Sequence, residues 1–284
     1  MERLQNKFFT AEKRNDHMWQ ITGLTQERCY LVEGNQRALL IDGLTGVGSL
    51  RAFVRELTEL PIIMAATHGH LDHIGAAFEY GEVRIHPADI AMIYGDTLGG
   101  DEARFQFATT LPRLGVKLRT EVRRDDVIPT CPIKTLPILD GDRIDLGGKV
   151  IDVVGLPGHS GGTVIFMDRT SRIAYGGDAC NLNTLLNLEG SETIETYCQA
   201  LRRFKRFTQD FDCMYCGHDQ NAVPPAIIDD AINLCEHILN GTDDAIPVDD
   251  SFGGPSLLAS ERINGYEPKC GGLCNIVYKR ERIQ

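Results

Sequence analysis

Four metal-capable side chains fall within six residues of this chain, in Thr67-His68-Gly69-His70-Leu71-Asp72-His73. The cluster directly follows the apolar run Leu60 to Ala66, which reads as a buried strand over Pro61 to Thr67. Imidazole and carboxylate packed this densely repel one another and lose hydration unless a cation binds them. The mixed nitrogen and oxygen donors suit zinc, with iron or manganese as alternatives. The chain must therefore fold so that a strand ends at a metal site, with a helix starting near Asp72.

The flanking sequence has the alternation of an α/β fold. Cys29 to Asp42 predicts two strands around the turn Gly34-Asn35. Val47 to Leu57 has helical spacing, with Leu50, Phe53, Val54 and Leu57 on one face. Val83 to His86 is a further strand. Residues 88 to 130 break the pattern with partly helical, polar sequence and the pair Gly99-Gly100. They read as an insertion, about 88–135, that either borders a cleft or is an ordinary surface excursion. Lys149 to Leu156 is strand-like, and Val164 to Met167 with Ile173 to Tyr175 form a hairpin around Asp168-Arg169-Thr170-Ser171. Thr196 to Phe207 is a helix whose outer face carries Arg202, Arg203, Lys205 and Arg206, read as solvated. Cys213 to Gly217 is a strand and 226 to 240 an amphipathic helix. The tail after Gly241 is turn-rich and ends in a strand at Asn275 to Lys279. The expected organisation is one catalytic domain over 1–222, with a helix and extension over 223–284 packed on it.

Three later positions complete a ligand set. His159 stands in Pro157-Gly158-His159-Ser160, Asp178 in Gly176-Gly177-Asp178, and His218 in Cys216-Gly217-His218. Each follows a predicted strand beside glycine, where the backbone can turn sharply. Ligands on loops at one end of a sheet can converge although distant in sequence.

On these residues the chain resembles the metallo-β-lactamase-fold hydrolases. The His-x-His-x-Asp-His motif at His68 to His73 is followed by single His, Asp and His motifs in that family's order. The matching motifs lie between residues 29 and 220. The resemblance implies a four-layer αββα sandwich. It also implies two divalent metal ions, zinc first, with His68, His70 and His159 on one, Asp72, His73 and His218 on the other, and Asp178 bridging. Asp42 matches the family's first motif, where it supports the site from behind the ligands. Two cations ~3.5–4 Å apart can share a hydroxide and clamp attacking and leaving oxygens. The nucleophile is then hydroxide, which Asp72 could orient through its free oxygen, and no Ser or Cys is required.

The commonest zinc β-lactamases carry Arg at the position of His73 and Cys at that of Asp178. The pattern here is closer to hydroxyacylglutathione hydrolases, lactonases and phosphodiesterases. Quorum-quenching lactonases place a Tyr shortly after the bridging Asp. Here Ala179-Cys180-Asn181-Leu182-Asn183 follows instead. Hydroxyacylglutathione hydrolases bind glutathione through basic and Tyr residues of a C-terminal domain, and this tail offers Arg262, Tyr266, Lys269 and Tyr278. The expected activity is metal-dependent hydrolysis of a small ester, thioester or lactone. A phosphodiesterase of the same fold, or a mononuclear iron enzyme resembling persulfide dioxygenases, are the competing readings.

Bulk properties narrow the partners. A net charge of −11 over 284 residues repels phosphate backbones, so a small-molecule substrate is expected rather than nucleic acid. No apolar stretch approaches the length of a membrane span, and the charged start MERLQNKFFTAEKRND has no signal-peptide core. Nine cysteines without framework spacing read as reduced thiols in a cytoplasmic protein. A homodimer is compatible with the sequence. On a strand, Cys213 and Cys216 face opposite sides, so they are not expected to form a paired site. Cys270 and Cys274 read as part of a tail turn, Cys180 as a buried thiol, and His86 as a strand-end residue.

Overall fold

In the computed structural model, the apolar stretches on either side of Gly34-Asn35 pair antiparallel as β4 (Arg28–Glu33) and β5 (Ala38–Ile41). The structure describes residues 2–94, 99–115, 117–219, 221–263 and 267–284, so Tyr266 lies outside the described residues. The chain divides into two compact units, one of residues 1–138 with 143–151 and one of 139–142 with 152–284.

The first unit is built on a sheet in the order β1-β2-β3-β4-β5-β6-β7-β8. Strands β1 (Arg3–Gln5), β2 (Thr10–Asn15) and β3 (Met18–Thr22) precede β4 and continue its antiparallel pairing. From β5 the pairing turns parallel, through β6 (Ile62–Ala65), β7 (Glu82–Ile85) and β8 (Lys134–Pro137). All four residues of β5 are buried, as expected for a parallel strand covered on both faces. Parallel pairing brings the C-terminal ends of β5 and β6 side by side, with Ile41 opposite Ala65. Asp42 and Thr67 therefore leave the sheet as neighbours.

Helix α1 (Leu50–Arg55) starts where the Ser49 side chain accepts a hydrogen bond from Ala52 N, and is shorter than its periodicity predicted. Leu50, Phe53 and Val54 still face the core. Helix α2 (Leu71–Ile74) carries Asp72 and His73 of the histidine cluster, and α3 (Ala77–Tyr80) follows it. The 88–135 segment carries a 3-10 stretch at Pro87–Ile93 and α4 (Asp101–Thr110). It packs through Ala108, Val122 and Val127 against Leu24 and Val47. Asp101, Glu102, Phe105, Arg124 and Asp125 line a cleft of about 470 Å³ along it.

Arg143–Asp145 forms β9, and β10 (Val150–Gly155) carries the chain from the first unit into the second. In the second unit β10 pairs antiparallel with β11 (Val164–Asp168), and β11 antiparallel with β12 (Ile173–Gly177). Strand β14 (Cys213–Cys216) pairs parallel with β12. Strands β10, β12 and β14 therefore run in one direction, and the segments bearing His159, Asp178 and His218 all emerge at their C-terminal ends.

Helices α5 (Ile194–Phe204) and α6 (Ile227–Leu239) supply Tyr197, Leu201 and Phe204 and Ile228, Cys235 and Ile238 to this unit's core. The basic residues 202, 203, 205 and 206 are exposed, as read from the sequence; at the surface Arg202 pairs with Glu236, and Lys205, just past α5, pairs with Asp229, both acids on α6. The tail differs more from expectation. Its final strand β19 (Asn275–Tyr278) joins a sheet in the order β13-β19-β16-β15, with β13 (Asn183–Leu186), β15 (Ile246–Asp250) and β16 (Gly254–Leu258). Two short strands, β17 (Arg262–Ile263) and β18 (Glu267–Pro268), pair beside it. The Gly- and Pro-rich composition of 241–274 hid these strands, although β15 with β16 and β17 with β18 are local antiparallel pairs. All nine cysteines are free, and no helix among the described residues is long and apolar enough to cross a membrane.

Candidate metal centre

At the end of β5 the chain turns sharply, and Asp42 adopts the left-handed conformation with φ +67°. Aspartate tolerates this region better than most residues. The turn aims its buried carboxylate at the end of β6. There it accepts hydrogen bonds from Thr67 N at 2.7 Å and from the Thr67 hydroxyl, and lies 2.9 Å from His73 Nδ1. A carboxylate only accepts, so Nδ1 of His73 carries the proton and Nε2 is the ring's lone-pair atom. Because the Thr67 hydroxyl donates to Asp42, its oxygen accepts from His68 Nδ1 at 3.1 Å. That assigns the same tautomer to His68. Asp42 thus orients two histidines, one directly and one through Thr67.

The rings of His68, His70 and His73 are packed together and buried. The centroids of His68 and His70 are 4.8 Å apart and those of His68 and His73 4.1 Å. Asp72, on α2 and partly exposed, has Oδ2 3.8 Å from His73 Nε2. The loop between His68 and His70 is pinned by a residue without a sequence signature: Asp89, fully buried, accepts from Gly69 N at 2.9 Å.

In the second unit, His159 is also held by its Nδ1, 2.7 Å from the Leu185 carbonyl of β13. The carbonyl is an acceptor, so Nε2 again bears the lone pair. Asp178 is buried at the end of β12, where Gly177 takes φ +50°. Its Oδ2 lies 3.6 Å from His159 Nε2 and 3.3 Å from His218 Nε2. One carboxylate oxygen thus faces both histidines. His218 is more exposed than the other histidines of the set and sits beside Gly217, whose N–H donates to Gly177 O at 2.8 Å. The neighbouring Asp219 accepts from Leu182 N, and burial raises its carboxyl above the ordinary aspartate range.

The predicted ligands thus lie in two groups, His68, His70, Asp72 and His73 in one unit and His159, Asp178 and His218 in the other. Imidazole nitrogens, carboxylates and outer partners that fix ring orientation are donor chemistry that fits a divalent metal ion. Groups of His and Asp able to hold a metal ion are present among the described residues. Of the other candidates, His86 caps the 3-10 segment, its Nδ1 accepting from Ala88 N. Cys180 is buried, and burial pushes its thiol up to about 12. Thr67, Asp89 and the Leu185 carbonyl were not singled out from sequence, although Thr67 directly adjoins the cluster.

A family model described as the metallo-beta-lactamase superfamily matches residues 22–198. The chain belongs to the metallo-β-lactamase superfamily. Among curated relatives, the acyl-coenzyme A thioesterase MBLAC2 of Gallus gallus is 30% identical over 191 residues, 61% of this chain and 65% of that protein. The chain thus spans just under two thirds of the length of this relative. Among solved structures, the sec-alkylsulfatase Pisa1 from Pseudomonas sp. is similar with a TM-score of 0.61, 15% identity and coverage of 81% of this chain and 42% of that one. A metallo-beta-lactamase from Pontibacter korlensis is similar with a TM-score of 0.59, 14% identity and coverage of 80% and 99%. These likenesses establish the metallo-β-lactamase fold. The expectation of a metal-dependent hydrolase agrees with membership of this superfamily.

Proposed function

We propose that this metallo-β-lactamase superfamily member is a dinuclear metal-dependent hydrolase of small acyl thioesters, with esters and lactones as related carbonyl substrates. The observation that carries the reading is shared by His68, His73 and His159. Each gives its Nδ1 proton to a fixed protein acceptor, which makes Nε2 the coordinating atom. His68, His70 and His159 would hold one metal, Asp72, His73 and His218 the second, and Asp178 both, zinc being the metal proposed. Metals bound there supply Lewis acidity toward the carbonyl and lower the pKa of water to roughly 7. Asp72 contributes a partly exposed carboxylate that can accept a hydrogen bond from the attacking water and hold its proton. Asp42, Thr67 and Asp89 keep the first ligand loop in place, so no reorganisation is needed during turnover.

The thioester is preferred among carbonyl substrates for two reasons. The Gallus gallus relative is named an acyl-coenzyme A thioesterase. A thiol also has a pKa of about 8.5, so a thiolate leaves near neutral pH without prior protonation, whereas an alkoxide needs a proton.

The test is metal analysis and a substrate panel on one preparation. The panel holds short- and long-chain acyl-coenzyme A, a p-nitrophenyl ester, a lactone, a chromogenic phosphodiester and a persulfide monitored by oxygen uptake. Two zinc ions per chain with thioester turnover is the expected result. Turnover of the phosphodiester alone, or one iron per chain with oxygen consumption on the persulfide, would overturn the proposal.

A further inference from the structure

Helix α5 opens against the segment that carries His159. Glu192 N donates to Gly158 O at 2.8 Å, and the Ser191 hydroxyl donates to His159 O at 2.9 Å, just before the helix begins. One turn in, Tyr197 is fully buried. Its ring lies so close to Gly158 that a Cβ there would sit 2.2 Å from Tyr197 Cδ2. Its hydroxyl donates to the Ala179 carbonyl at 2.8 Å. Gly158 directly precedes His159 and Ala179 directly follows Asp178. A single side chain therefore touches two of the three ligand segments of the second unit, the ring on that of His159 and the hydroxyl on that of Asp178.

We propose that Tyr197 is a positioning residue for the metal ligands, its ring setting the His159 segment and its hydroxyl the Asp178 segment. Burial holds its phenol well above the ordinary tyrosine range, so the hydroxyl stays protonated and donates to Ala179. The Ala179 carbonyl is fixed within one residue of Asp178, whose Oδ2 must face His159 Nε2, 3.6 Å away, and His218 Nε2, 3.3 Å away. A buried phenol that packs on one loop and hydrogen-bonds the other links their positions, because its ring has few alternative rotamers. The tight fit at Gly158 has the same meaning from the other side: any side chain there would displace the ring or the loop. The inference rests on the metal-binding reading above and adds to it a residue that touches no metal.

Zinc affinity is measured by competition with a chromophoric chelator for the wild type, His159→Ala, Tyr197→Phe and Gly158→Ala. The visible spectrum of the cobalt(II)-substituted proteins and the thermal midpoint are recorded alongside. Tyr197→Phe keeps the ring and removes only the hydroxyl. It is expected to raise the zinc dissociation constant about tenfold, as loss of an outer partner does, and to shift the cobalt bands while the protein stays folded at the assay temperature. Gly158→Ala is expected to act in the same direction, and decides the question if Tyr197→Phe does not fold. Unchanged affinity and an unchanged cobalt spectrum in the folded variants would reduce Tyr197 to a core residue and overturn the proposal. His159→Ala separates the two claims. If it binds zinc as the wild type does, the metal reading itself fails. If it loses zinc while Tyr197→Phe does not, only the positioning role is lost.

Discussion

Asp42 Oδ2 lies 2.9 Å from His73 Nδ1, and both residues are buried, in a turn where Asp42 holds φ +67°. The same carboxylate takes the Thr67 N–H and hydroxyl. A left-handed non-glycine residue persists only where its surroundings over-determine it. Here three donors on one carboxylate do so, and they tie the end of β5 to the ligand loop after β6.

Replacing Asp42 with Ala leaves three buried donors without this acceptor. Each costs on the order of 1–3 kcal/mol, so the variant should lose several degrees of thermal midpoint. Asp42→Asn keeps the shape but offers an amide that can donate toward His73. It should lower zinc affinity on the order of 10- to 100-fold, read by chelator competition. Wild-type affinity in a folded Asp42→Asn protein would remove Asp42 from the site's support.

Asp72→Asn tests a different role. Its carboxylate is the ligand-set acid with a partly exposed face. The amide can still coordinate weakly but cannot hold a proton. Turnover should fall by about 10²-fold or more, the scale of general acid–base contributions, with a smaller change in KM. Full kcat with both metals retained would exclude the proton-holding role.

The ligand loop is also constrained by backbone contact. A Cβ at Gly75 would lie 2.2 Å from Gly46 N and 2.3 Å from Thr45 C, with backbone rather than a flexible side chain in the way. Gly75→Ala must push apart the segment after Asp42 and the end of α2, which bears Asp72 and His73. A destabilisation of at least about 2 kcal/mol is expected from such overpacking, together with reduced bound zinc. Denaturant unfolding and metal analysis check both, and an unperturbed variant would show that the two segments can separate freely.

Arg104 anchors the 88–135 segment. Its side chain is fully buried against the Phe78 ring, with the guanidinium carbon 4.7 Å from the ring centroid. It donates to the carbonyls of Gly99 and Ile128 and to Asp101 and Thr130. Arg104→Met keeps the apolar stem but strands those acceptors. A loss on the order of 3 kcal/mol follows from several charge-assisted hydrogen bonds. Limited proteolysis should then cut first within 88–135. Cleavage elsewhere, with that segment intact, would show that Arg104 does not hold it.

Which side chains can bind a cation was legible in the sequence, because coordinating ability belongs to residue type and the His68 to His73 spacing is local. The alternation of apolar runs and helical periods likewise exposed β4 to β7, β10 to β12, α5 and α6. What holds the ligands was not legible. Thr67, Asp89, the Leu185 carbonyl and Tyr197 act through contacts between segments far apart in sequence, and a backbone carbonyl has no residue signature at all. In the sheet of β13, β19, β16 and β15 only β19 was legible: β13 is specified by a distant partner, and the β15–β16 hairpin is hidden in Gly- and Pro-rich sequence. The ligand chemistry is thus written locally in residue type and spacing. Orientation, tautomer and loop register come from long-range packing, which exists only once the chain has folded.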